Sequence, residues 1–335
     1  MLDKNKKTPQ YNDNFNELKK IVKERGLSDR VPIRGVIEMI GTISSLLLVY
    51  LILYNWENID INKTLLSISV GIFMSIIFTR AVFISHDILH LQYFKNKKLS
   101  FKLSYPFAAI IISNSSSWWD FKHNVNHHTW CNVPEKDVDI TAFDGAFTNG
   151  EKKGNKKLLK NFKYLIFWGA SFFMHISFII QSYSYALKNQ KYGEFILMLL
   201  HWPIIWGPVF YFLPLTDALI ILLTLHLTLS PWLFLGFIPN HFGMETFSKE
   251  ESNKLSWMEL QIRTSRSLSG GIFSHWFYGG LNTQIEHHLF PKAPRFNLLE
   301  IRKITKEFAK ENNIDYLEVT PLQSYIDINK VLKKY

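Results

Sequence analysis

A single cysteine, Cys131, among 335 residues excludes an internal disulfide and any thiolate-rich metal cluster, which leaves histidine as the ligand set for a transition metal. The N-terminus, MLDKNKKTPQ, lacks the short apolar core of a secretory signal. No repeat or low-complexity segment is present. Acidic residues are outnumbered, 28 against 38 lysines and arginines, for a net charge of +10. The excess does not indicate nucleic acid, because the lysines cluster in short segments beside apolar runs, the pattern of a cytoplasmic membrane face. What the chain does have is a hydrophobic content of 47%, an aromatic content of 15%, and apolar stretches too long for ordinary soluble helices. These describe a polytopic membrane protein.

The first apolar span runs from about Val36 to Tyr54 and the second from Leu65 to Ser85, each near the ~20 residues that cross a bilayer core. They predict a hairpin. Its loop, NWENIDINKT, carries two acids and one lysine, whereas the N-terminal arm carries Lys4, Lys6, Lys7, Lys19, Lys20, Lys23, Arg25, Arg30 and Arg34. The positive-inside rule places that arm in the cytoplasm. Three further apolar stretches follow, roughly Phe162 to Leu187, Phe195 to Leu213 and Asp217 to Ile238. Three crossings would put His241 on the opposite side from His86, so one stretch is expected not to cross. The segment from Asn161 to Leu187 is the candidate interfacial helix: lysines flank it (Lys152, Lys153, Lys156, Lys157, Lys160, Lys163, Lys188 and Lys191), and Gln181, Ser182 and Ser184 interrupt it. The expectation is an all-α fold with four transmembrane helices in two hairpins, interfacial helices and a cytoplasmic helical cap holding the metal site. Both termini and all eight candidate ligands then face the cytoplasm. The stretch Phe107 to Trp119 is too short and serine-rich to span, and is expected to lie at the surface or to re-enter. The organisation expected is a cytoplasmic arm over residues 1–35, a membrane domain over 36–295 and a cytoplasmic tail over 296–335.

Eight histidines in four groups sit just outside these runs: His86 and His90; His123, His127 and His128; His241; His287 and His288. Imidazole is the common protein ligand for transition metals, and this arrangement predicts a two-metal site holding iron. In HDILH the pair is four apart, so a helix projects both from one face, as chelation of one metal requires. In HNVNHH, His123 and His127 repeat that spacing, and His128 lies about 100° further round. In QIEHH the adjacent pair diverges, and Gln284 shares the face of His288. One metal is thus expected to take His86, His90, His123, His127 and His287, the other His128, His241 and His288 with Gln284 or water nearby. Asp87 and Asp137 are candidate acceptors that orient ligand imidazoles, and Asp139 is a weaker one. His175, His201 and His226 lie within apolar segments and read as hydrogen-bonded structural residues. His275, before Gly279 and Gly280, divides equally between a supporting and a structural role.

HDILH, HNVNHH and QIEHH, in that order and with a large membrane insert before the third, resemble the histidine boxes of the integral-membrane fatty acid desaturases. The likeness extends to WWDFKHNVNHH and HWFYGGLNTQIEHHLFPKAPR and covers roughly Arg80 to Arg295. It implies that the eight histidines are di-iron ligands, with no catalytic residue separate from them. Gln284 in place of a histidine resembles the front-end and related acyl-lipid desaturases. That subgroup often carries a fused cytochrome domain with a His-Pro-Gly-Gly motif, which is not found here, so a separate donor such as a ferredoxin or cytochrome is expected.

The activity implied is oxygen-dependent desaturation of a fatty acyl chain, with molecular oxygen as co-substrate and the acyl group carried on lipid, coenzyme A or a carrier protein. An unactivated methylene is beyond any side-chain base, so the protein's part is to position one carbon pair and exclude water. Trp118 and Trp119 are candidate walls of an apolar tunnel, or else interfacial anchors. The same ligands serve hydroxylation and triple-bond formation in related membrane enzymes; the GGLN lead into QIEHH favours desaturation. A non-catalytic histidine-rich receptor or metal carrier is the reading from another class. Transporters, however, place polar residues in broken helices mid-membrane, and here the candidates lie at span ends.

Overall fold

The computed structural model describes residues 11–139 and 156–334. Among them the chain is mostly helical, its helices joined by turns and short loops, and strand is limited to a two-residue parallel pairing of Ser267–Leu268 with Glu318–Val319. Lys4, Lys6, Lys7, Lys152 and Lys153 lie outside the described residues, as do the side chains of Lys156, Lys157 and Lys160.

Two compact units result. One is built from residues 30–121 and 156–237 and contains the apolar helices. Among the described residues, five helices are long and apolar enough to cross a membrane: Pro32–Tyr54, Lys63–Leu89, Phe162–Lys188, Tyr192–Phe212 and Leu215–His241. The chain is a membrane protein. Proline in the first turn starts the first of these helices, and the Asn62 side chain caps the second by accepting from Leu65 N at 3.1 Å. Hydroxyls inside the spans return to their own helix: Ser67, Thr79 and Ser85 each donate to the carbonyl four residues back, at 2.8, 2.8 and 2.7 Å. No span therefore exposes an unmet hydroxyl at these sites. Gly71 allows a close approach, since a Cβ there would stand 2.7 Å from Thr224 Cβ.

The third apolar stretch is the least apolar of the five and is not uniform: α-helix to Gly169, a tight 3-10 turn over Ala170–Phe173, then α-helix over Met174–Lys188. The fourth is interrupted by a π-turn at Trp202–Trp206, where Pro203 removes an amide donor. The stretch from Phe107 also departs from a surface placement. Pro106–Ile111 form another π-turn, and Phe107, Ala108, Ala109, Ile112, Ser113 and Ser115 are buried in the unit.

The other unit comprises residues 11–29, 122–139 and 238–334, so arm and tail belong with the second, third and fourth histidine groups. Its core joins Leu18 of the Tyr11–Glu24 helix, Met258 and Ile262 of Trp257–Arg263, Ile285 and Leu289 of Gln284–Leu289, and Ile301 of Leu298–Glu311. Burying Ile285 and Leu289 fixes the short helix that carries His287 and His288.

Candidate metal centre

His86 and His90 occupy the last turn and C-cap of the Lys63–Leu89 helix. The four-residue spacing does what an α-helix dictates: the rings meet at 4.5 Å between centroids, and both are buried. Asp87 Oδ1 lies 3.2 Å from His86 Nδ1, and Asp87 Oδ2 accepts the Tyr93 hydroxyl at 2.9 Å. The carboxylate is therefore fixed by one partner while it faces the other, which is how a ligand imidazole is oriented. A cleft opens beside His86, lined by Ala108, Ile112, Asn114, Ser115 and Trp119. Trp119 is thus a wall residue, whereas Trp118 is buried against Phe178.

The other six histidines form one cluster in their own unit, and the backbone there is not what spacing alone predicts. Asp120–His127 is π-helical, and His128 N bonds to His123 O at 3.0 Å, a five-residue return. His123 and His128 consequently approach, Nε2 to Nε2 at 3.2 Å. His127 turns instead to His241 and His288, with centroids at 4.7 and 4.9 Å. The grouping of His127 with His123 as one metal's ligands is thereby corrected: 4.4 residues per π-turn, in place of 3.6, moves the shared face from the fourth residue to the fifth. His287 and His288 diverge as expected. His287 stacks at 6.1 Å on His123, and His288 at 4.4 Å on His128.

Three rings are held from behind through Nδ1. His127 meets Asp137 Oδ2 at 2.9 Å, His288 meets Gln261 Oε1 at 2.5 Å and His241 meets Thr264 O at 3.1 Å. An acceptor at Nδ1 fixes the tautomer that offers Nε2 to a metal. Burial opposes protonation of His127, but the adjacent Asp137 carboxylate prevails and raises its pKa. Ligand atoms of His127, His241, His288 and Cys131 all lie within 4.8 Å of one another. This imidazole-rich donor set, with acceptors behind it, fits a transition-metal ion.

Of the supporting residues expected from sequence, Asp87 and Asp137 touch ligand candidates directly. Gln284 does too, with Nε2 2.8 Å from His241 Nε2 and Oε1 accepting from Asn240 at 3.2 Å. Asp139 accompanies Asp137, its N–H donating to Asp137 Oδ1 at 3.0 Å, and pairs with Lys122. His275 instead bonds Asn282 Oδ1 at 3.0 Å and Arg295 O at 2.8 Å. It braces the turn at Gly280, whose φ of +87° and 2.9 Å approach of a Cβ to Arg295 require glycine. His175 and His201 bond backbone carbonyls of Ile112 and Ile110. Two residues were missed. Gln261 lies far from every box in sequence and carried no signal. Cys131, whose Sγ is 3.3 Å from His241 Nδ1, carried one, standing four residues after His127; burial pushes its thiol well up.

The fatty acid desaturase family model matches residues 64–320. The Delta(5) fatty acid desaturase fat-4 of Caenorhabditis elegans is 28% identical over 93% of this chain and 71% of its own length. The Delta(6)-fatty-acid desaturase fat-3 of the same animal is 31% identical over 70% of this chain and 57% of its own. The acyl-lipid (9-3)-desaturase of the moss Physcomitrium patens is 29% identical over 78% and 52%. The chain thus spans only about half the length of several curated relatives it matches. With the match covering most of its length, and with the histidine groups inside it, the chain belongs to the fatty acid desaturase family, a family of oxidoreductases.

Proposed function

We propose that the protein is an oxygen-dependent fatty acyl desaturase in which His86, His90, His123, His127, His128, His241, His287 and His288 ligate two irons. The observation that carries this is the set of imidazoles fixed through Nδ1 by Asp137, Gln261 and Thr264, with ligand atoms converging within 4.8 Å. Iron supplies the oxygen activation that an unactivated C–H bond demands and no side chain provides. The chain's own residues bind and orient: the cleft at His86 seats an apolar chain, Trp119 walls it, and the buried surroundings exclude water. A redox partner, a ferredoxin or cytochrome, delivers the electrons. The relatives' names place double bonds at several positions, so bond position is not carried over. Hydroxylation or triple-bond formation is the alternative on the same ligands. Fatty acid methyl esters from a host expressing the protein decide it: a new carbon–carbon double bond is expected, and a hydroxyl or no change would overturn the reading.

The proposal includes orientation. Four spans cross, the segment from Asn161 to Leu187 lies in the interface, and both termini and the histidines face the cytoplasm. Single cysteines at Asn58, Thr216 and Asn189, in a Cys131→Ser background, separate this from five crossings. With an impermeant thiol reagent on intact cells, Asn58→Cys and Thr216→Cys are expected to label and Asn189→Cys is not. Labelling at 189 would mean that the segment crosses.

A further inference from the structure

Residues 106–115 run as a π-turn and then a short irregular link with Ser113 at positive φ, before the Ser116–Trp119 helix, a backbone that leaves carbonyls without helical partners inside a buried setting. Specific side chains take them up. His201 Nδ1 lies 2.9 Å from Ile110 O, and His175 Nε2 lies 3.2 Å from Ile112 O. Further on, Glu194 accepts three hydrogen bonds from one short stretch: Ser115 Oγ at 2.5 Å, Ser117 Oγ at 2.5 Å and Ser117 N at 3.1 Å. Glu194 is only 6% exposed and sits in the apolar Tyr192–Phe212 helix. A carboxyl group placed there is costly unless its surroundings use it.

The stretch so held is one wall of the cleft at His86. Ala108, Ile112, Asn114, Ser115 and Trp119 line it. Ser115 links clamp and wall: its hydroxyl donates to Glu194 and, through a lone pair, accepts from Trp118 N at 3.0 Å, capping the Ser116–Trp119 helix. Glu194 therefore orients the cap that aims Trp119, without itself lining the cleft.

We propose that Glu194 is a positioning residue which, with His201 and His175, fixes the 106–117 wall and so sets which carbon pair of an acyl chain lies at His86. This rests on the desaturase reading of the cleft. Small displacements at such a wall matter, since a misplacement of about 1 Å at a reacting centre is worth up to about 100-fold in rate. Competing positions along a chain differ by little more than that spacing.

The test uses the full-length protein with Glu194→Ala and the milder Glu194→Gln. Hydrogen exchange of the 106–119 peptide in micelles reads the clamp without catalysis. Exchange is expected to quicken about tenfold in Glu194→Ala, with the Leu298–Glu311 helix unchanged. Product analysis in an expressing host reads the consequence: double bonds at neighbouring positions are expected to rise about tenfold relative to the main product, with Glu194→Gln between. Unchanged exchange overturns the clamp. Faster exchange with an unchanged positional ratio overturns the positioning role and leaves Glu194 as scaffold. Should the unaltered protein make no double bond, the desaturase reading fails visibly by itself. Protection of the 106–119 peptide by added oleic acid then decides the inference: it is upheld if protection is present in the unaltered protein and lost in Glu194→Ala, and overturned otherwise. If Glu194→Ala does not fold, Glu194→Gln is judged by the same readouts.

Discussion

Replacing His288 with alanine is expected to abolish product formation, a loss of at least about 100-fold, while the protein still inserts and folds. His288 is fully buried, held by Gln261 at Nδ1, and in ring contact with His127, His128 and His241. Of these neighbours, His127 and His241 are each held through Nδ1 by a partner of their own, Asp137 and Thr264, and so are not free to take its place. Alanine at His90 is expected to do the same, since that buried ring meets His86 at the C-cap of its helix. The apolar spans do not depend on either ring, so membrane insertion should survive. Elemental analysis of the purified proteins checks the cause: close to two irons per active chain, and fewer in both variants. His226→Ala is the control, expected to keep substantial total product. An active protein with one metal per chain would overturn the two-iron model. A His226→Ala variant as dead as His288→Ala would show that sorting histidines by position was wrong.

How much of this was legible in the sequence depended on how regular the backbone is. His86 and His90 lie on an ordinary α-helix, where a spacing of four means one face, and the pairing read from HDILH is the one the structure has. HNVNHH has the same spacing but π-helical backbone, and the face is shared by His123 and His128. Nothing local in the sequence announces a π-turn, since its cost is met by tertiary contacts. The same holds for Pro106–Ile111 and the link that follows, where His201 meets Ile110, His175 meets Ile112 and Glu194 meets Ser115 from distant helices. Asp87 and Asp137 were found because they sit inside or just beyond their boxes. Gln261 reaches His288 across 27 residues of chain and was invisible to any reading of motifs.

Asp137→Asn is expected to weaken iron binding about 10- to 100-fold, although the replacement is nearly isosteric. The carboxylate of Asp137 is fully buried and has three donors to satisfy: Oδ2 faces His127 Nδ1 at 2.9 Å and Asn132 N at 3.0 Å, and Oδ1 accepts from Asp139 N at 3.0 Å. An amide has one acceptor oxygen. With that oxygen towards His127, its NH2 opposes the Asp139 amide; flipped, it opposes both His127 Nδ1–H and the Asn132 amide, and forces the wrong imidazole tautomer. Either arrangement leaves a buried donor unmet at a cost of about 1–3 kcal/mol. The charge that raises the pKa of His127 against its burial is also gone, so the ring becomes a poorer electron donor to a metal. Asp139→Asn is the comparison: its half-buried carboxylate pairs with Lys122 and lies within 4.8 Å of a His127 ring nitrogen, so it adds to the charge beside that ring, whereas Asp137 is the acceptor at Nδ1. Iron titration against a competing chelator in detergent reads the affinity, and thermal unfolding of the metal-free proteins reads the fold. The expected result is a clearly larger affinity loss in Asp137→Asn than in Asp139→Asn, beyond what its stability change accounts for. Equal iron affinity in Asp137→Asn and the unaltered protein would mean that His127 does not ligate iron through the nitrogen this carboxylate sets.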